Sequence, residues 1–98
     1  MIHDFAKPAP TAPMTLREAT VEVWSLHRTA TEYLALGMID LAEAKIRKLD
    51  QLRFDTKRYF TLHNRRSERV RLLREQIGII KIRAFEDEFK KLRAIGAA

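Results

Sequence analysis

The most chemically directed feature of this sequence is a run of basic residues in its second half. Seven basic side chains and a single acidic one fall between positions 57 and 74; the basic ones are Lys57, Arg58, Arg65, Arg66, Arg69, Arg71 and Arg74. Arginine guanidinium groups hold a phosphate or a carboxylate through two parallel hydrogen bonds. A continuous helix would place Arg58, Arg65 and Arg69 within about 40° of one another. The pattern therefore predicts an arginine stripe that binds an anionic partner.

The other reactive side chains are too scattered to form a catalytic or metal site. The three histidines lie far apart, and none has a histidine or acidic residue three or four positions further on in a metal-binding arrangement. Neither serine lies in a glycine-rich turn that would expose a nucleophile. The carboxylates of Glu86, Asp87 and Glu88 are adjacent, so on a helix they point about 100° apart. The sequence predicts a non-enzymatic protein without a metal or cofactor.

Composition indicates one small folded domain with an anionic partner. The 98 residues are 46% hydrophobic and 33% charged, which is typical of a folded helical protein. The net charge of +6, concentrated in the C-terminal half, favours nucleic acid, an acidic protein surface or anionic lipid as a partner, although a solvated helix face gives the same charge. The absence of cysteine fits a reducing intracellular compartment. We expect no transmembrane segment and no cleavable leader.

The elements that must position these side chains are predicted to be helices throughout. No proline follows position 13, and two segments, starting at Thr15 and Asp40, place a glutamate three residues after a capping side chain. Residues 1–13, with three prolines, are predicted to form an extended tail. Residues 14–98 are predicted to form a single helical domain with helices at about 16–36, 41–63 and 67–94. Gly37, in the left-handed conformation, would end the first helix and allow an antiparallel hairpin.

The sequence leaves the path of the chain after the second helix open. Its apolar seam is interrupted by one polar turn at positions 63–67. The seam consists of Ala42, Ile46, Leu49, Leu52, Thr56, Tyr59 and His63, and it continues as Val70, Leu73, Ile77 and Ile80. The preferred fold is therefore all-α, with an antiparallel helical hairpin plus a third helix in a three-helix bundle. The alternative is a hairpin with a long coiled-coil arm, in which the polar turn sets the register. Positions 77–82 are rich in β-branched residues, but the helical pattern around them argues against a short strand.

Several large apolar residues lie off the main seam and predict either a second core face or a surface covered by a partner. They are Trp24, Phe54, Leu62, Leu72 and Ile79. Tyr59 and Phe60 could stack on nucleic-acid bases, but their position beside the seam favours core packing. Near Ile80 the seam shifts phase to Ile82, Phe85, Phe89 and Leu92.

The segment from position 23 to 28, Val-Trp-Ser-Leu-His-Arg, resembles the signature of the LYR-motif family of small, basic, three-helix mitochondrial proteins. Leu26 and Arg28 match the motif, and His27 replaces the family's tyrosine. The family also tends to have an arginine and a phenylalanine further along the chain, for which Arg58 and Phe60 are the nearest counterparts. Members act as assembly factors or accessory subunits of respiratory complexes, and many bind the mitochondrial acyl carrier protein, whose acyl chain enters a channel between the helices.

The resemblance implies a location on the matrix side of mitochondria, and without it we expect a cytoplasmic protein. It also implies that Arg28 and the arginines between positions 58 and 69 face the acidic surface of a carrier protein. The His27 replacement is the departure that bears most directly on carrier binding.

The predicted function is that of a non-enzymatic helical accessory subunit or adaptor of a larger protein assembly, which binds an acidic or apolar partner surface. The residues predicted to bind the partner are Leu26, His27, Arg28, Arg58, Phe60, Arg65, Arg66 and Arg69. The alternative is a small nucleic-acid-binding protein, or an inhibitor of a nucleic-acid-processing enzyme, of phage or plasmid type. The sequence leaves the oligomeric state open.

Overall fold

A computed structural model describes residues 14–96, and this part of the chain folds into three α-helices without a strand. Helix α1 spans Leu16–Ala35, α2 spans Ile39–Gln51 and α3 spans Phe60–Gly96. Helices α1 and α2 form a hairpin, and α3 packs against both. The predicted all-α class and the hairpin with a third helix are confirmed. The predicted extended tail, 1–13, lies outside the described residues.

Helix α1 begins with the predicted capping box. The Glu18 amide donates to Thr15 Oγ1 at 3.1 Å, and the Thr15 amide donates to Glu18 Oε1 at 2.9 Å. These bonds satisfy two backbone N–H groups that have no partner within the helix. The hydrogen bond from the Thr15 backbone also lowers the pKa of the Glu18 carboxyl.

Replacing Thr15 by alanine is expected to lower the free energy of unfolding by about 1 kcal/mol, because an N-cap hydroxyl is lost. Urea unfolding followed by circular dichroism measures the change. The matched control is Thr31→Ala, which removes a hydroxyl that bonds to the His27 carbonyl within the helix and does not cap an end. Equal losses in the two variants would contradict a specific role for the cap.

Helix α1 ends at the turn that Gly37 makes possible. Gly37 has a φ of +76°, in the left-handed region that side chains disfavour. Its amide donates to the Leu34 carbonyl at 3.1 Å, and the Met38 amide donates to the Tyr33 carbonyl at 2.9 Å. This pair of bonds is the Schellman arrangement, and it reverses the chain into α2 within three residues.

The start of α2 differs from the prediction. The helix begins at Ile39, with Met38 as an N-cap that makes no side-chain bond, so Asp40 does not form a capping box. The Ala42 amide instead donates to the Met38 carbonyl at 3.0 Å, which extends the helix toward the turn. Ile39 then packs against the core. Glu43 takes no part in a capping box, and its carboxylate lies 3.3 Å from Lys81 Nζ on α3.

The predicted bounds of the second and third helices, 41–63 and 67–94, are wrong at their junction. Helix α2 ends at Gln51 because Leu52 adopts an extended backbone, with ψ at 128°. Asp55 then opens a turn: its side chain accepts from the Arg58 amide at 3.0 Å and its carbonyl from the Tyr59 amide at 2.9 Å. Helix α3 begins at Phe60 and passes without a break through the polar turn at 63–67 and through 77–82, so neither a bend nor a strand forms there.

The core is formed by one face of each helix. Its buried apolar side chains are Ala19, Val23, Leu26, Ala30, Ala42, Ile46, Leu49, Leu62, Val70, Leu73 and Ile77. Leu62 therefore belongs to the core, and Phe54 packs against its edge. The core stops at Ile77, and from residue 81 to residue 96 every side chain of α3 is exposed. We call this exposed part, 81–96, the α3 arm.

Candidate partner-binding site

A hollow of about 640 Å³ lies between α1 and α3. It is lined by Trp24, Thr61, Asn64, Arg65, Glu68, Arg69 and Leu72. Trp24 follows the core residue Val23 in α1, and Arg69 precedes the core residue Val70 in α3, so both helices turn these side chains to the rim of the core. We call Trp24, Arg65, Arg69 and Leu72 the Trp24 patch.

Aromatic contacts hold the cation of this patch in place. The guanidinium carbon of Arg69 lies 5.2 Å from the centroid of the Trp24 ring. The His27 ring contacts the indole edge to face, with 5.7 Å between centroids and 89° between planes. A cation over a tryptophan face contributes about 0.5 to 1 kcal/mol at a partly exposed site. Arg69 is thereby positioned before any partner arrives, which lowers the entropic cost of binding.

His27 adds an aromatic surface to the patch and no positive charge at neutral pH. Burial lowers the pKa of His27 below its usual 6.5, and the nearby Arg69 cation lowers it further. The imidazole is therefore neutral at pH 7. The positive charge of the patch comes from Arg65 and Arg69, and no carboxylate within residues 14–96 forms a salt bridge with either of them.

His27 is expected to make the fold less stable in mild acid. Because its pKa is lowered in the folded chain, the unfolded chain binds the proton more tightly. The free energy of unfolding should therefore fall as the pH drops from about 6.5 toward the lower folded pKa. The measurement is urea unfolding of the wild type and of His27→Gln between about pH 5 and pH 8. When both proteins also carry Arg69→Gln, the difference between their pH dependences should become smaller. Identical pH profiles for the wild type and His27→Gln would contradict the assignment.

Arg66, one of the residues predicted to bind the partner, is buried in this structure. Only 5% of the residue is exposed. One terminal nitrogen donates to the carbonyls of Leu49 at 3.2 Å, Asp50 at 3.3 Å and Leu52 at 2.9 Å. The other donates to Nδ1 of His63 at 2.9 Å, which fixes that nitrogen as an acceptor because arginine only donates.

Arg66 is a side-chain cap for the C-terminal end of α2. The last carbonyls of a helix have no partner within the helix, and a cation there also complements the helix dipole. The guanidinium carbon lies 4.8 Å from the centroid of the Phe54 ring, which covers it from the connecting turn. Burial lowers the pKa of Arg66, opposed by the Asp50 carboxylate, yet the group stays protonated at neutral pH. Sequence reasoning missed this role, although Arg66 occupies a core position between Leu62 and Val70.

Two further arginines of the basic run already have acidic neighbours. Arg71 lies 2.8 Å from Glu75 and 3.5 Å from Glu68, and Arg74 lies 3.2 Å from Asp50 on α2. These pairs are exposed and individually weak. They nevertheless mean that a phosphate must compete with a carboxylate at each position.

The arginine stripe is shorter than predicted because α3 begins after Arg58. Arg58 lies in the turn before the helix, with its guanidinium carbon 5.8 Å from the centroid of the Tyr59 ring. Arg65 and Arg69 remain together on α3, where they line the same hollow. Tyr59 packs against the core as predicted, whereas Phe60, at the first turn of α3, is 61% exposed. Its predicted core packing is wrong.

The three residues of the LYR-like segment have three different environments. Leu26 is buried in the core, and its contact with a partner stays a prediction. His27 lies beside Trp24, as described above. Arg28 is exposed and lies 3.4 Å from Glu32 in the next helical turn. Both His27 and Arg28 line a second surface hollow of about 900 Å³ along α1, which Trp24 also borders.

Comparison with models of protein families, with curated proteins and with solved structures finds no match for this chain. Among residues 14–96, no helix combines the length and the apolar character that crossing a membrane requires.

Proposed function

We propose that this protein is a non-enzymatic helical adaptor that binds an acidic segment of a partner protein at the Trp24 patch. The observation that carries the proposal is the position of Arg69 over the half-buried indole of Trp24, beside a hollow that Arg65 and Leu72 also line. Tryptophan and arginine are the residues most enriched at the energetic centres of protein interfaces.

The patch suits a ligand that is both acidic and apolar. Arg65 and Arg69 offer two guanidinium groups for carboxylates, and bidentate pairs of this kind give orientation as well as affinity. Trp24 and Leu72 provide an apolar surface that releases water when it is covered. An acidic segment with a large apolar side chain, in an extended or helical conformation, meets both requirements.

The distribution of the basic side chains supports a protein partner over nucleic acid. Arg66 is buried, and Arg71 and Arg74 have carboxylate neighbours. The basic run therefore offers Lys57, Arg58, Arg65 and Arg69 as its readily available cations. Nucleic-acid affinity scales with the number of phosphates that a protein neutralises, and the structure reduces that number.

The resemblance to the LYR-motif family gives the proposal a more specific form. In that form the partner is an acidic acyl carrier protein, and the chain is an accessory subunit of a respiratory complex in the mitochondrial matrix. Arg28 and the Trp24 patch lie on neighbouring hollows that share Trp24, so one acidic surface could contact both.

Native mass spectrometry of the protein, purified gently from its own source, tests the proposal. We expect a complex of fixed stoichiometry with an acidic protein, and a mass increment of phosphopantetheine size would identify a carrier protein. Recovery of nucleic acid in place of protein would contradict the proposal. In that case affinity should fall at least about 100-fold for a fourfold rise in salt, if four phosphates are neutralised.

A further inference from the structure

The α3 arm carries an apolar stripe that nothing in residues 14–96 covers. Ile82, Phe85, Phe89 and Leu92 are each more than half exposed, and they follow one another at spacings of three, four and three residues. The rings of Phe85 and Phe89 stack on each other, with 6.4 Å between centroids. This spacing is the a and d pattern of a coiled coil, with Ile82 and Phe89 at a and Phe85 and Leu92 at d.

The stripe is distinct from the face of α3 that enters the core. At 100° per residue, its centre is rotated by about 100° from the line of Val70, Leu73 and Ile77. The arm lies beyond Ile77, the last core residue of α3, in a structure that measures 73 Å along its longest axis. The hairpin of the same chain therefore cannot cover the stripe without unpacking α3.

We propose that a second copy of this chain covers the stripe, and that the two arms pair as a parallel, in-register coiled coil. Residues at the e and g positions decide which partner and which orientation a coiled coil accepts. In a parallel pair each g residue lies beside the e residue five positions later in the other strand. Here those pairs are Lys81 with Glu86 of the second copy, and Glu88 with Arg93 of the second copy.

Every flanking pair of the parallel arrangement thus joins opposite charges, and each pair occurs twice by symmetry. The antiparallel arrangement that aligns all four apolar layers instead brings Glu86 toward Glu86 and Glu88 toward Glu88. Like charges at these positions oppose association. Lys81, which also contacts Glu43, is 58% exposed at its side chain and can reach a second carboxylate.

The geometry of the bundle leaves room for this pairing. A two-fold axis parallel to the arms places each arm against the other's stripe. Because the core-facing side of α3 is about 100° away from that stripe, the axis sends the two hairpins to opposite sides of the coiled coil. The interface is isologous and closed, so association stops at a dimer.

The flanks of the stripe carry both signs of charge. Lys81 and Arg93 lie about 60° from the centre of the stripe, one on each side, and Glu88 and Glu86 lie about 80° from it on the same two sides. The charges of a second copy in the parallel arrangement therefore meet opposite charges on both flanks.

Sedimentation equilibrium of the full chain over a range of concentrations tests the proposal. Since the stripe spans two heptads, we expect a dissociation constant on the order of 100 µM, with the mass rising from the 11.5 kDa of one chain to twice that value. Phe89→Asp should raise the dissociation constant at least about 30-fold, because two phenyl rings leave the interface. The matched control, Phe60→Asp, also replaces an exposed phenylalanine on α3 and should leave it unchanged.

Charge exchange identifies the orientation. Glu88→Lys alone and Arg93→Glu alone should each weaken the dimer, and the double variant should restore it, because the parallel pair is then rebuilt with its signs reversed. In addition, Leu92→Cys should form a disulfide across the axis on oxidation, in a chain that otherwise has no cysteine. The variant Arg65→Glu/Arg69→Glu should dimerise normally, which separates this result from the proposed partner binding.

Three results would overturn the proposal. A chain that stays monomeric up to about 1 mM has no such interface. A dimer that the double charge exchange fails to restore is not parallel. A monomer that binds vesicles of phosphatidylcholine and phosphatidylserine, and loses that binding in Phe89→Asp, uses the stripe on a membrane.

Discussion

Replacing Arg66 by leucine is expected to lower the free energy of unfolding by about 3 to 5 kcal/mol, because it removes a buried cation that binds several carbonyl groups. Leucine fills part of the space but donates no hydrogen bond. The carbonyls of Leu49, Asp50 and Leu52, which Arg66 now binds, would lose their side-chain donor. A loss of this size is a large fraction of the stability of a small domain.

The same substitution removes the contact that ties α2 to α3. Arg66 also packs its guanidinium over Phe54 and bonds to His63, so the turn between the helices loses its main anchor. We expect the last turn of α2 to fray, which hydrogen exchange would detect as faster exchange of its amides. The free energy of unfolding of Arg66→Lys should lie between those of Arg66→Leu and the wild type, because a single ammonium group cannot reproduce the planar guanidinium with its several donors.

Urea unfolding at low protein concentration measures these differences without a contribution from self-association. The matched control is Arg65→Leu, which makes the same chemical change at the neighbouring exposed position and should alter stability by no more than about 0.5 kcal/mol. If Arg66→Leu proved as stable as the wild type, water would be satisfying the carbonyls, and the buried cation would have no net stabilising role.

Reversing both charges of the Trp24 patch, in Arg65→Glu/Arg69→Glu, is expected to weaken capture of the natural partner at least about 100-fold. Two attractive pairs with the acidic partner become two repulsive ones, and each charged contact at an interface contributes about 1.5 kcal/mol or more. The variant should still fold, because Arg65 is exposed and Arg69 contributes only its contact with Trp24.

The control for this experiment changes the net charge by the same amount elsewhere. Arg47 and Arg53 are exposed residues at α2 and the turn that follows it, and neither lines the hollow between α1 and α3. Arg47→Glu/Arg53→Glu should retain the partner with only a modest loss in association rate. Similar losses in both double variants would mean that overall charge, and not the Trp24 patch, governs binding. If the Trp24 patch governs binding, Trp24→Ala should also weaken it. If overall charge governs binding, Trp24→Ala should leave it unchanged.

The ends of α1 show what local sequence can predict. The capping box at Thr15 and the left-handed turn at Gly37 each depend on contacts between residues at most five positions apart. Such interactions are present in the sequence pattern itself, and the structure reproduces them. The spacing of Ala19, Val23, Leu26 and Ala30 likewise predicts the buried face of the helix.

The junction of α2 and α3 shows where local reasoning fails. An arginine in a polar turn usually faces solvent, so the sequence places Arg66 with the other basic residues. Only tertiary packing brings Arg66 to the end of α2, 14 to 17 positions earlier in the chain, where it donates hydrogen bonds to three carbonyl groups. The predicted break at 63–67 does not form, for the same reason. Arg66 lies on the core face of α3 between Leu62 and Val70, so the buried face continues through the polar turn.

The candidate site divides in the same way. The composition of the basic run predicts an anion-binding surface. The sequence could not predict which arginines remain available, because burial and ion pairs depend on which helices meet. In the folded chain, hydrogen bonds or ion pairs within the chain engage three of these arginines, Arg66, Arg71 and Arg74. Folding also places Arg69 over Trp24, which is 45 positions away.

By itself, then, the sequence determines that this protein is helical, where its hairpin turns, and that it is basic. Each of these properties follows from near neighbours or from composition. The tertiary structure decides that the second helix is short, that one arginine is a structural cap, and that Trp24 and two arginines share a hollow. These properties depend on residues distant in the chain, whose meeting is fixed only when the apolar faces of three helices pack together.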